Sequence, residues 1–317
     1  MNGSKVSMGR RGGRGERAMV PDASFSSYYG RPVIKEPSWQ EPDIAGYLYL
    51  GGLAGASSAI ALGAQLTRRP ALERASKIGA LAAIGAGMVG LLHDLGRPAR
   101  FVNMLRVFKP TSPMNMGSWL LSAYGPAAGV SALTAATGRF RRIGGVATAG
   151  AAALGPLVAS YTAALICDTA VPSWHEGFRE MPFVFVGSAA TAAGGLGMVA
   201  APTHEAGPAR RAALLGGALE VGAARLMERR MGDLIGKPYR EGGSGQKMRI
   251  GEALTAVGAV CGATLGRRSR VAAVVSGAAL LTSSALTRVA IFEAGVASAR
   301  EPAHTVVPQR ERLGARQ

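Results

Sequence analysis

His93 and Asp94 stand side by side, and Arg97 follows three residues on. Imidazole is the side chain that changes charge near neutral pH. A carboxylate next to it keeps a proton at hand, and a nearby guanidinium holds that carboxylate ionised. Such a set could pass protons to the oxygens of a quinone, whose two-electron reduction takes up two protons. A local reading competes with this one: Asp94 caps the following turn and His93 sits at a membrane interface. Trp119 and Tyr124 come next. They could wall a quinone ring by stacking, with the phenol adding a hydrogen bond, or they could be ordinary aromatic anchors at a membrane surface. Asp43 and Tyr47 open an earlier apolar run and could close the same pocket.

These residues are placed by apolar runs. His93 ends one run, a basic loop follows, and a second run begins at Met116. The pattern predicts an all-α integral membrane protein with eight spans, at roughly 44–66, 78–93, 117–137, 144–167, 181–201, 210–227, 251–265 and 271–293. Most are long enough to cross a hydrocarbon core of about 30 Å. Residues 1–43 read as a polar, basic N-terminal tail and 294–317 as a frayed polar tail. Residues 44–293 form the transmembrane domain, divided into 44–167 and 181–293. The long loops 93–116, 168–180 and 228–250 share one face with both tails. By the bias of basic residues, that face is expected to be cytoplasmic in a multi-pass plasma-membrane protein.

Composition narrows the function. Of 317 residues, 48% are hydrophobic, only 17% are charged and 45 are glycine. Small residues let helix backbones approach closely in lipid. The net charge of +17 would suggest nucleic acid in a soluble protein. Here the cations lie between apolar runs, where they meet lipid headgroups, so no nucleic-acid partner is expected. Two cysteines, Cys167 and Cys261, are too few for an iron–sulfur cluster. The four histidines, His93, His175, His204 and His304, are not paired inside spans, which argues against haem, and no metal motif is present. A second polar group, Asp168, His175 and Glu176, could carry protons from the decorated face or simply be a solvated loop. Glu220, expected deepest in span 6, could join that proton path or pair with Arg288 of span 8. Arg225, five residues on, does not share its helix face.

Several stretches together resemble one family. DLGRP at 94–98 with RF at 100–101, KPTSPM at 109–114 and GSW at 117–119 are similar to the NrfD/PsrC family. YLYLGGLAGAS in span 1 and WHE followed by MPFVFVGSA at 174–189 extend the similarity over about 40–295. The Arg-rich loops and the SYYGRP tail resemble actinobacterial members. The resemblance implies two four-helix bundles, 44–167 and 181–293, in a membrane-anchor subunit of a multi-subunit oxidoreductase. It would exchange electrons between menaquinone and a partner iron–sulfur subunit, itself linked to a molybdopterin catalytic subunit. The chain would carry no cofactor of its own, so catalysis is shared. The implied quinone pocket holds Asp43, Tyr47, His93, Asp94, Trp119 and Tyr124, with Arg97 nearby. No histidine or asparagine opens span 1 to complete it. The alternatives are a small-solute or ion transporter, which needs a polar path across the bilayer, and a purely structural anchor.

Overall fold

The computed structural model describes residues 33–97 and 99–314. Residues 1–32, most of the expected basic tail, lie outside them, as do Pro98 of DLGRP and residues 315–317. No strand occurs among the described residues. Eight helices have 20 residues or more: α1 (Glu41–Leu66), α2 (Pro70–Asp94), α4 (Pro113–Thr137), α5 (Arg141–Cys167), α7 (Met181–Ala200), α8 (Gly207–Ile235), α10 (Gly242–Ala263) and α11 (Arg270–Arg300). Between and after them come the shorter α3 (Ala99–Met104), α6 (Pro172–His175), α9 (Lys237–Arg240) and α12 (Pro302–Gly314).

At about 1.5 Å per residue, every long helix reaches roughly 30 Å or more. Five of them, α1, α2, α5, α7 and α11, are also apolar enough to cross a membrane. The remaining three sit where spans were expected; α4 carries no charged side chain, whereas α8 and α10 are more polar. Helix α8 carries Arg210, Arg211, Glu220, Arg225, Glu228, Arg229, Arg230 and Asp233, and α10 carries Lys247, Arg249 and Glu252. Most helices overrun the expected spans, because backbone hydrogen bonding continues through polar residues. The segment read as a basic linker before residue 78 forms the first turns of α2, with Pro70 at its start, where a missing N–H costs nothing. Helix α11 continues to Arg300 and α12 follows, where a frayed tail was expected.

Helices α1, α2, α4 and α5 pack mainly among themselves, as do α7, α8, α10 and α11. Helix α1 joins the halves by packing on α7 and α11, and α5 and α2 also pack on α7. Close approach is made by glycine. A Cβ on Gly55 of α1 would run into the carbonyl of Gly155 on α5, and one on Gly195 of α7 would strike the carbonyl of Gly277 on α11. The apolar cores do not divide along the two halves. They are stacked by depth, and each draws residues from both halves.

Alternating helix direction brings α3, α6, α9, α12 and residues 33–40 to one end, the polar end. The opposite end consists of tight turns, where Arg69 and Arg270 satisfy helix termini. Arg69 Nη1 donates to the carbonyls of His204 at 2.9 Å and Glu205 at 3.0 Å. Glu205 Oε2 accepts from the N–H groups of Ala71 and Leu72 at the start of α2. Arg270 Nη1 donates to the carbonyls of Met198 and Ala201 at the end of α7.

Candidate functional site

Asp43, His93, Asp94 and Arg97 gather at the polar end. Asp43, in the first turn of α1, faces the last turn of α2, and its Oδ2 lies 2.6 Å from His93 Nδ1. The imidazole is 70% exposed and the carboxylate 18%, so the pair sits at the surface with its acid side sheltered. Asp94 points the other way. Its Oδ1 accepts from the N–H of Gln40, the residue that caps α1, at 3.1 Å. Asp94 thus ties the end of α2 to the start of α1, and it also lines a small enclosed cavity of about 30 Å³. The backbone then turns at Gly96, whose φ of +68° favours glycine. Arg97 is exposed and makes no ion pair with Asp94, so the expected guanidinium support for that carboxylate is absent.

The cavity wall contains residues that the sequence did not single out. Trp39, Leu91, Met104, Met114, Ser118 and Tyr161 line it. Asn115 fixes its outer side. Its Nδ2 donates to the carbonyls of Met104 at 2.6 Å and Val107 at 2.9 Å, and its Oδ1 accepts from Lys109 N at 2.7 Å. The KPTSPM motif therefore encodes a closed loop. Ser112 caps α4, Pro113 starts it, and Asn115 holds the loop in front of it. Gly117 of the GSW motif lies flat against the ring of Tyr161, where a side chain would collide.

Other expected pocket residues are spread out. Tyr47 is buried with a hydroxyl that has no hydrogen-bond partner. Tyr124 is buried deeper and its hydroxyl is 2.8 Å from Ser58 Oγ. Trp119 faces outward and is 40% exposed; its Nε1 donates to Val107 O at 3.2 Å, and Phe108 meets it edge-on. Tyr47, Trp119 and Tyr124 do not line the cavity beside Asp94.

The second polar group is built around tryptophan rather than acid. Trp174 is fully buried, donates to Ile291 O at 2.7 Å, stacks on Trp39 and lies against Gly295. Ser173 Oγ donates to Ile235 O, and Tyr239 Oη donates to Ser173 O. These bonds tie α6 to the second half, and the stack on Trp39 ties it to the segment before α1. His175 Nδ1 is 3.2 Å from the carbonyl of Cys167, Glu176 pairs with Arg312 of α12 at 2.9 Å, and Asp168 is exposed. Arg230 pairs with Glu180 at 2.6 Å.

Glu220 lies about 18 Å, at 1.5 Å per residue, before the kink at Gly232 that interrupts α8 near the polar end. Its Oε1 accepts from Thr287 Oγ1 at 2.9 Å, while its Oε2 is buried without a partner. Arg288 does not close to ion-pair distance. It donates to Phe185 O at 2.7 Å and stacks its guanidinium over the Phe185 ring at 3.6 Å. Its Nε and Nη1 are likewise buried and unpartnered. Arg225 pairs with Glu252 of α10 instead.

No cluster of histidine, cysteine, aspartate and glutamate able to hold a metal occurs among the described residues. A larger open cavity of about 870 Å³ lies at the same polar end, between residues 36–41 and helices α9 to α12. No curated protein matches the chain. Residues 35–203, more than half of the chain and the whole of the segment that builds the Asp43–His93 pair and the Asp94 cavity, match the family model for polysulphide reductase NrfD, and the chain belongs to that family.

Proposed function

We propose that this chain is the quinone-reactive membrane subunit of an oxidoreductase complex in the plasma membrane, with its polar end toward the cytoplasm. It exchanges electrons between menaquinone and an iron–sulfur partner, which connects to a molybdopterin catalytic subunit. Members of the family are membrane subunits of oxidoreductases that interact with quinones. One observation carries the reading to this chain: the family match spans every residue of the Asp94 cavity and of the Asp43–His93 pair.

The donor set suits a quinone. It offers an imidazole–carboxylate pair, a second carboxylate in a cavity wall, and flat or polarisable surfaces from Trp39, Tyr161, Met104 and Met114. The enclosed volume of about 30 Å³ holds about one water, so a ring requires the wall to open. The loop held by Asn115 is its outer side. A bound quinone supplies two-electron, two-proton chemistry. The chain's part is proton handling and position. His93 and Asp43 are hydrogen-bonded at 2.6 Å on the water-facing side, and Asp94 sets the junction of α1 and α2 while presenting an acid to the cavity. We place Asp168, His175, Glu176 and Glu220 on the proton path, with Arg97 and Trp119 at its rim and Tyr47 and Tyr124 below the cavity. The buried, unpartnered atoms of Glu220 and Arg288 call for internal water, which a proton path needs.

The test uses the whole complex from native membranes. His93→Ala with Asp94→Asn is expected to lower quinol-linked turnover about 100-fold, the scale of a lost acid–base group. Turnover of the catalytic partner with a soluble dye should stay unchanged. Full quinol-linked turnover in the variant would reduce the chain to a structural anchor.

A further inference from the structure

At the turn end of the first half, away from the candidate site, the α1–α2 and α4–α5 turns enclose an open cavity of about 780 Å³. Gln65, Arg68, Glu73, Arg74, Lys77 and Arg141 line it. Lys77 is only 5% exposed and is held by Glu73 Oε1 at 2.6 Å and Gln65 Oε1 at 3.2 Å. The one acid of the set is therefore engaged. Arg68, Arg74 and Arg141 are exposed and have no carboxylate partner among the described residues. Elsewhere at this end Arg69, Arg210 and Arg270 bind carbonyls, and the arginines of the other half's turns, Arg211, Arg267 and Arg268, do not line this cavity. The three arginines thus line one cavity without a counter-charge, and an anion bound among them would supply it.

The setting says which anion. Helices α1, α2 and α5 are apolar enough to cross a membrane, and the cavity lies at their ends, at headgroup depth. Beside it, Leu66, Ile78, Leu133 and Phe140 are exposed apolar side chains. On the outer side of the same α4–α5 hairpin is an open apolar groove of about 510 Å³, lined by Pro126, Val130, Ile143 and Val146, with Arg142 among its residues. Guanidinium groups match phosphate oxygens two at a time, and basic pockets between membrane helices take anionic headgroups. We propose that this cavity binds the headgroup phosphate of an anionic phospholipid, with acyl chains lying along α2, α4 and α5. The site fixes the two turns of the first half to one lipid and does not depend on the quinone reading.

The experiment is native mass spectrometry of the full chain in mild detergent with equal amounts of phosphatidylglycerol and phosphatidylcholine. One phosphatidylglycerol per chain should be retained, with a preference of about tenfold or more. The R68Q/R74Q/R141Q variant should lose that preference. The R211Q/R267Q/R268Q variant, which removes as much charge from the same end of the other half, should keep it. Equal loss in both variants would mean diffuse surface attraction and overturn the site. Equal retention of phosphatidylcholine by the unsubstituted chain would overturn it without any variant having to fold. Displacement of the lipid by glycerol 3-phosphate alone would reassign the cavity to a soluble phosphate.

Discussion

At the scale of single residues, the motifs that marked the family turn out to be architectural as much as chemical. Asp94 accepts a hydrogen bond from the residue that caps α1, and Asn115 closes the loop in front of the cavity. Asn115→Ala would leave the carbonyls of Met104 and Val107 and the N–H of Lys109 without their partner. About 1–3 kcal/mol is expected for such a loss. Hydrogen exchange over residues 104–112 should speed up while the helices stay protected; unchanged exchange would show that the loop is held by something else. Trp174→Ala removes a fully buried ring stacked on Trp39. A cost of about 3–5 kcal/mol follows for a large-to-small core change of this kind, read as a fall in melting temperature in detergent. Trp174 was legible in the sequence only as part of a polar WHE loop, because its burial depends on Trp39, Phe292 and Gly295 from distant segments.

At the scale of elements, two features can be tested. Helix contacts that rest on bare backbone tolerate no side chain. Gly55→Leu should therefore separate α1 from α5 and lower folded yield sharply, whereas Gly150→Leu, on an open face of α5, should not. Equal yields from both would contradict the packing. The second feature is α12, which buries Ala303, His304 and Val307 and pairs Arg312 with Glu176. Burial pushes the His304 imidazole below its ordinary value, which outweighs the opposing pull of Glu301, and its Nδ1 has no partner. The undocked helix takes up a proton near the ordinary histidine value of about 6.5, while the docked one takes it up only at lower pH. Docking stability is therefore complete above about 6.5 and declines as pH falls from there toward the docked value. Exchange protection of residues 302–314 should fall between pH 7.5 and 5.5, and His304→Gln should remove the dependence. Protection that is flat with pH in the unsubstituted chain would rule this out.

At the scale of the whole molecule, the two ends serve different purposes. The polar end collects four short helices, the Asp43–His93 pair and the cavities of about 30 and 870 Å³. Such an end suits the docking of a peripheral subunit. Gentle purification from native membranes is expected to yield a stoichiometric iron-containing partner, together with molybdenum in a third protein. A chain recovered alone and free of metal would shift the reading to solute transport, to be checked by uptake into vesicles. The two halves are bound by shared cores stacked by depth, so they should melt as one unit in calorimetry.

The sequence by itself determined the class and the order of elements. Apolar run lengths, the Ala/Gly bias and the basic turns specify a helical membrane protein, and the spacing of DLGRP, KPTSPM and GSW marks its family. These are local signals, carried by residues close together in the chain. The tertiary structure decided which side chains meet. Asp43 reached His93 across 50 positions, while Arg97 stayed apart from Asp94 and Trp119 turned outward. It also chose Thr287 for Glu220, left Arg288 against Phe185, and brought Tyr161 and Trp39 into the cavity wall. The physical reason is that helix rotation and crossing are set by packing between helices, here by glycine contacts and buried rings. A periodic apolar pattern fixes a helix without fixing the neighbour it faces.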